Sequence, residues 1–543
     1  MGTSFSNRPL GPSGRKPPRF TEADAAKFLK RGYEALRRGN FKDAGACCGL
    51  VLKYMPKAKE AHFLVGLIGI ESKDWPTALH AFKSVVSIDA DHAAGWAQLA
   101  RVFMSMGQYA NAEAALEKAV VLEPSDPLVQ DVIGTVYSLL GDQKAALSWF
   151  DKACVASKSA GFELSRAKSL TFLGKFDEAK RALEAVIKER PGTAQAHWML
   201  SRVGKATDTA HAEKMQTLIA KEPAGSASLP FLYYAVGKEQ EDLGNWNAAF
   251  DGYSAGAAAR RKEVAFDESA EEAMFAGLAE HFTDDWLKGM GAGHNDASPI
   301  FVIGQPRTGT TLVERIMTAH SDVQSAGELQ QFGMAIKRLV GTASPKPMTA
   351  EIVAKAAKEI DPAKLGQLYL ETTRSVRPDS PCFVDKLPVN YLYAPLIAAA
   401  FPNAKIVHVA RNAMDSCFAS YKQLFADAYY HSYDQKEMAR HHIRYRKLMD
   451  HYRTVLGDRM LDIHYEDTVE NLENNARKLV DFLGLSWQDA CLDFHKQDGA
   501  VTTASAAQVR EKAHSRSVGR WRKYEEFLKP MKRVLDEAGL KGL

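Results

Sequence analysis

Small residues recur through the first half of the chain at an interval of 34 residues, with apolar residues at helical spacing between them. A glycine stands near the middle of most intervals and a proline near the end of most, as Gly107 and Pro124 do in the third. Glycine readily ends a helix and proline cannot continue one, so each interval predicts two helices. Small residues where the two helices face each other allow the antiparallel pair to approach closely.

Five such repeats follow one another, at about residues 25–58, 59–92, 93–126, 127–159 and 160–193. The pattern then degenerates and returns at Gly237, Gly244 and Tyr253, which predicts a helical array extending to about residue 286. Repeats of this length stack into a solenoid, because one helix pair cannot bury its apolar face alone. The concave surface of such a stack suits an extended peptide or a partner protein. Alternatively, the repeat array serves only as a spacer or as a dimerisation surface that would form a homodimer.

The second half of the chain opens with an apolar run, Ile300–Ile303, that is typical of a buried parallel strand. Thr310–Ala319 has helical periodicity, and a glycine-containing segment joins the two. Glycines let the backbone fold around an anion, and the N–H groups at a helix start point into the same hollow, so this unit predicts a phosphate-binding loop. Its glycine spacing matches a Walker A loop, but Thr310 stands at the lysine position. An NTPase, a decayed nucleotide domain and a different enzyme with the same loop all remain open.

Composition excludes several classes of protein. A length of 543 residues allows about two to four domains, and the net charge of +4 is too small to favour nucleic acid as the main ligand. The six cysteines have neither zinc-site spacing nor the density of a disulfide scaffold, so reduced thiols are expected. Residues 1–24 form a basic, proline-rich and flexible N-terminus without the apolar core of a secretory signal. No apolar stretch reaches the roughly 20 residues of a membrane span, so the chain is expected to be cytoplasmic.

Two known families resemble these motifs. The repeat resembles the tetratricopeptide repeat, and PRTGTTL at 306–312 resembles the 5′-phosphosulfate loop of sulfotransferases that use 3′-phosphoadenosine-5′-phosphosulfate (PAPS), especially the protein-tyrosine type. The resemblance implies an all-α tetratricopeptide-repeat solenoid over 25–286, a linker over 287–297, and an α/β P-loop-like sulfotransferase domain over 298–543 with a mostly parallel central sheet. It also implies that the loop binds the donor through Gln305, Pro306, Arg307, Thr308, Gly309, Thr310 and Thr311.

A second segment resembles the 3′-phosphate motif of the same family. The predicted strand Lys405–Ala410 is followed directly by Arg411, and an arginine suits a phosphate because its planar fork makes two charge-assisted hydrogen bonds. The family usually has a serine eight residues later, where this chain has Ala419. The neighbouring serines are Ser416 and Ser420, and Ser420 is the candidate ligand.

The resemblance also implies a set of catalytic residues. Glu328 matches the catalytic glutamate of tyrosine sulfotransferases, Lys386 matches the family's strand-end lysine, and Ser505 opens a matching S-x-x-Q-V segment. Glu328 would take the proton of the acceptor, while Arg307, Lys386 and Ser505 would stabilise charge on the transferring group and the leaving oxygen. The alternatives are that Glu328 caps a helix or pairs with a surface lysine, and that Asp385 is the magnesium ligand of an NTPase.

Two basic segments remain. The segment 515–521 resembles the family's loop that closes over PAPS, which implies donor contacts from Arg516, Gly519, Arg520 and Trp521, with a solvated basic face as the alternative. In RHHIRYRK at 440–447, adjacent histidines point about 100° apart on a helix and no carboxylate has ligand spacing, so a solvated or partner-facing helix is expected rather than a metal site. His320 and His408 are expected to be structural.

Together the resemblances imply a bacterial, PAPS-dependent sulfotransferase that produces 3′,5′-ADP and requires no metal. The hydroxyl acceptor is expected to be a protein or peptide tyrosine, with a glycan, lipid or small molecule left open. The repeat groove would bind the acceptor or a partner protein, and no nucleic acid is expected. The alternative of another class is a scaffold whose repeats bind a protein and whose nucleotide domain is inactive or NTPase-like.

Overall fold

The computed structural model describes residues 20–342, 348–503 and 505–540. Within these residues, sixteen α-helices precede the first strand: α1 (Glu22–Arg37), α2 (Phe41–Tyr54), α3 (Lys59–Glu71), α4 (Trp75–Ile88), α5 (Ala93–Ser105), α6 (Tyr109–Val121), α7 (Pro127–Leu139), α8 (Gln143–Ala156), α9 (Ala160–Phe172), α10 (Phe176–Glu189), α11 (Ala194–Val203), α12 (Ala210–Ile219), α13 (Leu229–Asp242), α14 (Trp246–Glu263), α15 (Glu268–His281) and α16 (Asp284–Gly289). Of the predicted flexible N-terminus, residues 1–19 lie outside the described residues, and α1 already begins within the remainder.

The helices begin and end where the repeat pattern predicts. Asp126 and Asp142 cap α7 and α8, each accepting a hydrogen bond from a backbone N–H of the first turn. Gly141, between these helices, has φ +94°, a left-handed conformation that costs other residues about 1–2 kcal/mol. A Cβ atom at Gly134 would lie 2.7 Å from the Phe150 ring, so the small residue sets how closely the pair packs. The predicted helical array is confirmed.

The chain forms two compact units. One contains the residues up to Met106 together with Asn111–Pro124, which is most of the first three repeats. The other contains Gly107–Ala110 and Ser125–Leu543, so the later repeats and the sheet belong to the same unit. The predicted domain bounds at 286 and 298 stay predictions.

Five strands form one sheet in the second unit: β1 (Pro299–Gly304), β2 (Val323–Gly327), β3 (Cys382–Asp385), β4 (Lys405–Ala410) and β5 (Met460–His464). Their order is β2-β3-β1-β4-β5, and each neighbouring pair is parallel. The predicted mostly parallel sheet is therefore confirmed. The order reverses at β1, which is where the carboxyl ends of parallel strands leave a crevice for ligands.

Ten helices connect and cover the strands in the described residues: α17 (Thr310–Thr318), α18 (Gln331–Leu339), α19 (Ala350–Glu359), α20 (Pro362–Thr373), α21 (Ala394–Ala400), α22 (Ala413–Tyr421), α23 (Gln435–Leu456), α24 (Tyr465–Glu470), α25 (Leu472–Leu483) and α26 (Lys529–Glu537). Short 3₁₀ segments lie at Pro388–Tyr393, Tyr430–Tyr433, Gly457–Arg459, Asp489–Lys496, Gln508–Arg510 and Arg520–Tyr524. None of the described helices is both long and apolar enough to cross a bilayer.

The central strand β1 is buried on both faces of the sheet. Phe301 and Ile303 of β1 belong to one hydrophobic cluster, while Ile300 and Val302 point to another that includes α17 and α25. The first cluster also contains Met274, Phe275 and Leu278 of α15, the last long helix before the sheet. A third cluster joins side chains of α13 and α14 to α22 and α26. The late repeat helices therefore share their hydrophobic core with the α/β part.

Candidate active site

The loop between β1 and α17 is built from residues with unusual backbone angles. Gly304 has φ +152° and Gly309 has φ +98°, and a Cβ atom there would lie 2.6 Å from the Val409 carbonyl oxygen or 2.5 Å from the Tyr465 ring. Arg307 has φ +67°, a conformation that costs a non-glycine residue about 1–3 kcal/mol. The loop therefore holds Arg307 in one specific arrangement, directly before a helix N-terminus.

Arg307 connects three segments that are far apart in sequence. Its Nη1 donates to Ser505 Oγ at 2.6 Å and its Nη2 to Gln508 Oε1 at 3.2 Å, while its carbonyl oxygen accepts from Arg411 Nη1 at 2.8 Å. Burial, together with the positive charges of Arg202 and Arg411, lowers the pKa of Arg307 to about 10. The structure therefore brings the predicted residues Arg307, Arg411 and Ser505 together.

These residues line one cleft. Five of its lining side chains are cationic and only two are carboxylates; the cations are Arg307, Arg411, Lys422, Lys512 and Arg520. A cleft with this excess of positive charge beside a helix N-terminus suits a ligand carrying several negative charges.

Glu328 and Lys386 lie together at the carboxyl ends of β2 and β3. Lys386 is 1% exposed, its Nζ contacts Glu328 Oε1, and it lies 3.9 Å from Glu314 Oε2. Burial opposes the charge on Lys386, but Glu328 and Glu314 outweigh it and raise the pKa of the lysine. The partner of Glu328 is thus a buried lysine at a strand end, not the surface lysine of the alternative interpretation.

Glu314 is a residue that sequence reasoning missed. It lies on α17, 6% exposed, where it accepts a 2.6 Å hydrogen bond from Ser325 Oγ. Burial raises the pKa of its carboxyl above the ordinary value. In the sequence LVERIM, Glu314 stands beside Arg315, so nothing in the sequence distinguishes it from a solvated carboxylate.

Both carboxylate oxygens of Asp385 accept hydrogen bonds within the protein. It is fully buried, Oδ2 accepts from the Tyr369 hydroxyl at 2.9 Å, and Oδ1 accepts from the Leu329 N–H at 3.3 Å. Burial raises the pKa of its carboxyl to about 7. A magnesium ligand must be ionised and open to the ion, so this geometry does not support the NTPase interpretation.

The predicted 3′-phosphate segment lies at the same cleft. Arg411 Nη2 donates to the Ser517 carbonyl oxygen at 2.6 Å, and the guanidinium stacks over Tyr465 at 4.6 Å. Ser420 is buried and its hydroxyl lies 3.3 Å from the Pro306 carbonyl oxygen, whereas the buried Ser416 hydroxyl has no hydrogen-bond partner among the described residues. The predicted contact of Ser420 with a phosphate stays a prediction.

Other loop residues use their side chains within the protein. The Gln305 amide is buried 3.1 Å from His441 Nε2, Thr308 Oγ1 donates to the Gln305 carbonyl oxygen, and Thr311 Oγ1 lies 3.3 Å from Thr503 Oγ1. The Gln305 Oε1 atom has no hydrogen-bond partner among the described residues, and the donor contacts predicted for Pro306, Thr310 and the other loop residues stay predictions. Gly309 lines the cleft.

The C-terminal segment reaches the cleft through only part of its predicted set. Asp415 accepts hydrogen bonds from the backbone N–H groups of Gly519 and Trp521, at 2.6 and 3.3 Å, which fixes the turn before Arg520. Arg520 lines the cleft. Trp521 instead packs in the hydrophobic cluster of α22 and α26, and Arg516, two-thirds exposed, pairs with Glu511. The Trp521 side chain therefore lies in the core, whereas Arg516 pairs with a residue that lines the cleft, and its predicted donor contact stays a prediction.

The predicted solvated helix at 440–447 is wrong for its histidines. His441 and His442 are 3% and 1% exposed, because α23 packs against α15 and also contacts β4 through Tyr445. Arg444 Nη2 donates to Glu271 of α15 at 2.6 Å, and His441 Nδ1 lies 2.9 Å from the same carboxylate. The neighbouring apolar face, Tyr445, Leu448, Met449 and Tyr452, was the available signal for a buried helix.

His408 and His320 have structural surroundings, as expected. His408 is buried, with Nδ1 2.6 Å from Asp462 Oδ1 and Nε2 2.5 Å from the Tyr445 hydroxyl. His320 Nε2 lies 2.8 Å from the Ser486 carbonyl oxygen.

Comparison with known proteins agrees with this architecture. Residues 299–489 match the model of the sulfotransferase family, and residues 70–134 and 164–204 match tetratricopeptide-repeat models. The sulfotransferase match ends before the segment that carries Ser505 and Arg520.

Individual relatives cover the chain to different extents. An uncharacterized protein of Aquifex aeolicus is 32% identical over 69% of this chain, and this chain spans only half of that relative's length. A protein-tyrosine sulfotransferase of Drosophila melanogaster is 25% identical over 41% of this chain and 46% of its own. Among solved structures, a tetratricopeptide-repeat protein of Thermus thermophilus is 18% identical over 33% of this chain and 98% of its own, with a TM-score of 0.31.

Proposed function

Because the chain combines a domain of the sulfotransferase family with tetratricopeptide repeats, we propose that it transfers a sulfuryl group from PAPS to a hydroxyl acceptor. The observation that carries this proposal is the position of Arg307. Its guanidinium binds Ser505 and its carbonyl oxygen binds Arg411, so three segments assigned to donor binding and catalysis share one cleft.

The chemistry of the cleft fits PAPS, which carries a phosphosulfate at one end and a 3′-phosphate at the other. The loop before α17 offers backbone N–H groups and Arg307 to the phosphosulfate. Arg411 is the proposed 3′-phosphate ligand, since its guanidinium is held 2.8 Å from the loop backbone and stacked on Tyr465. No magnesium ion is part of this proposal, because side-chain cations surround the same cleft.

The proposed reaction is an in-line displacement at sulfur. A bond forms between the acceptor oxygen and sulfur while the bond from sulfur to the bridging phosphate oxygen breaks, and 3′,5′-ADP leaves with the electron pair of that bond. Glu328 takes the acceptor proton; its carboxylate is 42% exposed and therefore open to an incoming hydroxyl. Lys386, Arg307 and Ser505 offset the charge that develops on the leaving oxygen.

A tyrosine of a protein or peptide is the proposed acceptor. The likeness to a protein-tyrosine sulfotransferase supports this choice, and tetratricopeptide repeats are a common platform for binding peptides and proteins. Transfer of labelled sulfate from PAPS into a lysate, followed by identification of the labelled product, tests the acceptor. Label on a glycan or small molecule instead of a protein tyrosine would contradict it.

Nucleotide preference separates the enzyme from the alternatives of another class. Thermal stabilisation by 3′,5′-ADP without magnesium is expected, because binding to the native state raises its stability. Stabilisation by ATP that depends on magnesium would support an NTPase, and no stabilisation by either nucleotide would support a scaffold.

Replacement of the proposed base is the direct test of the mechanism. Glu328→Gln is expected to lower kcat by about 10²–10⁴-fold, the range of general-base contributions, while 3′,5′-ADP binding changes little. Glu351→Gln is a matched control, since Glu351 is an exposed carboxylate on α19. Full activity of Glu328→Gln would refute the assignment.

A further inference from the structure

A glutamate of the repeat array contacts two of the cations that line the positive cleft. Glu241, on α13, is 5% exposed and accepts hydrogen bonds from Lys422 Nζ at 2.7 and 2.9 Å and from Arg520 Nε at 2.5 Å. The Tyr253 hydroxyl of α14 donates to its other side at 2.8 Å. This carboxylate is therefore held by its own helix pair and, in turn, holds two cations of another part of the chain.

Both of these cations line the cleft that Arg307 and Arg411 line. Lys422 follows α22 and Arg520 follows the turn held by Asp415, so each comes from an element adjoining the proposed donor site. The single negative charge of Glu241 balances only one of the two cations, so a net positive charge faces the cleft. The arrangement fixes the position of that charge without neutralising it.

Electrostatics keep the carboxylate ionised. Burial alone would raise the pKa of Glu241, but Lys422 and Arg520 outweigh it and lower the pKa to about 2. A lysine and an arginine side chain that reach into solvent sample many rotamers, and their immobilisation by a ligand reduces affinity. A buried, ionised anchor removes much of that cost because it fixes both side chains before the ligand arrives.

A second contact ties another segment of the cleft to the repeats. The Phe172 carbonyl oxygen, at the end of α9, accepts from the Val501 N–H at 2.9 Å and from Arg510 Nη2 at 3.1 Å. Val501 and Arg510 flank Ser505 in sequence. The segment with the proposed catalytic serine and the Arg520 segment therefore both hydrogen-bond to repeat helices.

We propose that Glu241 is a positioning residue of the donor site, so that the repeat array forms part of the structure that binds the nucleotide. The inference rests on the proposed function, since it takes PAPS as the ligand of the cleft. It assigns to the repeats a role beyond capture of an acceptor: a change in the position of α13 changes the affinity for PAPS and 3′,5′-ADP.

The test compares two neighbouring glutamates of α13 in the full-length chain. Glu241→Gln removes the charge with little change of shape, and the dissociation constant of 3′,5′-ADP, measured by calorimetry, is expected to rise about tenfold or more because two side chains lose their fixed positions. Glu239→Gln is the matched control: Glu239 is equally buried but pairs with His211 of α12, and its variant is expected to bind within about twofold of wild type. The KM for PAPS should rise with the dissociation constant while the KM for the acceptor stays constant.

The sign of the change separates positioning from simple electrostatics. Loss of a negative charge near an anion site strengthens anion binding if the cations keep their places, so equal or tighter binding by Glu241→Gln overturns the proposal. Glu241→Asp keeps the charge but withdraws the carboxylate by one methylene, and it too is expected to weaken binding; wild-type affinity in this variant overturns positioning.

Two further readouts complete the test. Lys422→Met should cost less affinity in the Glu241→Gln background than in wild type, because the lysine is already displaced there; additive losses would contradict the coupling. A purely structural defect would lower the melting temperature and the fraction of binding-competent protein without changing the dissociation constant.

Wild-type protein that fails to bind 3′,5′-ADP would refute the proposed function itself, whereas wild-type binding with an unaffected Glu241→Gln variant refutes only this inference.

Discussion

Lys386 combines a structural and a proposed catalytic role, and Lys386→Met separates the two. The substitution keeps an unbranched side chain of similar length in a site that is 1% exposed, but removes the ammonium group between Glu328 and Glu314. Glu328 is 42% exposed on its side chain and regains water when the lysine is lost. Glu314 is buried and does not, so the loss of stability arises mainly from Glu314.

The size of the effect follows from the protonation of Glu314. Its pKa already lies above the ordinary 4.5 because of burial, and loss of Lys386 raises it further. A buried carboxyl that must take up a proton near pH 7 lowers the free energy of unfolding by at most roughly 3–4 kcal/mol, compared with a carboxyl that stays in water. An acid whose folded pKa is raised loses stability as the pH rises above its unfolded pKa. The loss of stability caused by Lys386→Met is therefore expected to fall to about 1 kcal/mol near pH 5.

Chemical denaturation at two pH values, with the double variant Glu314→Gln/Lys386→Met, tests this reasoning. Near pH 7 the single variant should unfold at clearly lower denaturant concentration, and the double variant should recover most of the loss because no buried charge is left unpaired. Neither variant should recover sulfuryl transfer, since both lack the ammonium group that is proposed to stabilise the leaving oxygen. A single variant as stable as wild type near pH 7, or a double variant less stable than the single one, would refute the account.

Two other substitutions follow from the site. Asp385, with its pKa raised to about 7, makes the folded state bind a proton that the unfolded state has released, so stability should fall by up to about 4 kcal/mol between about pH 4 and 7. Asp385→Asn should flatten this slope in melting experiments across that range, and an unchanged slope would refute the assignment. Arg411→Lys keeps the charge but loses the fork that binds the Arg307 and Ser517 carbonyl oxygens, so 3′,5′-ADP should bind about 10–100-fold more weakly. The affinity for 5′-AMP, which has no 3′-phosphate, should fall less. Equal losses of affinity for the two nucleotides would refute the assignment of Arg411 to the 3′-phosphate.

Local rules predicted most of the fold because the deciding residues act within one helix pair or one strand. The left-handed backbone of Gly141 is required by the turn within its own helix pair, whatever surrounds that pair. The apolar run at 300–303 is buried on both faces, as in any parallel sheet that is covered by helices on both sides. The histidines of 440–447 are the opposite case. Their burial depends on α15, more than 150 residues earlier, which supplies Glu271 to a helix whose own sequence is strongly basic.

The same distinction explains which parts of the site escaped prediction. Arg307 and Arg411 lie in segments with their own pattern, a glycine loop and a strand end, so sequence alone singles them out. Glu314 and Glu241 are glutamates within helices, where a solvated carboxylate is the ordinary expectation. Only packing decides otherwise, because each becomes a partner of cations that lie far away in sequence. A repeat array predicted as a separate binding module thus contributes a buried charge to the proposed donor site, and no motif within the array could have indicated it.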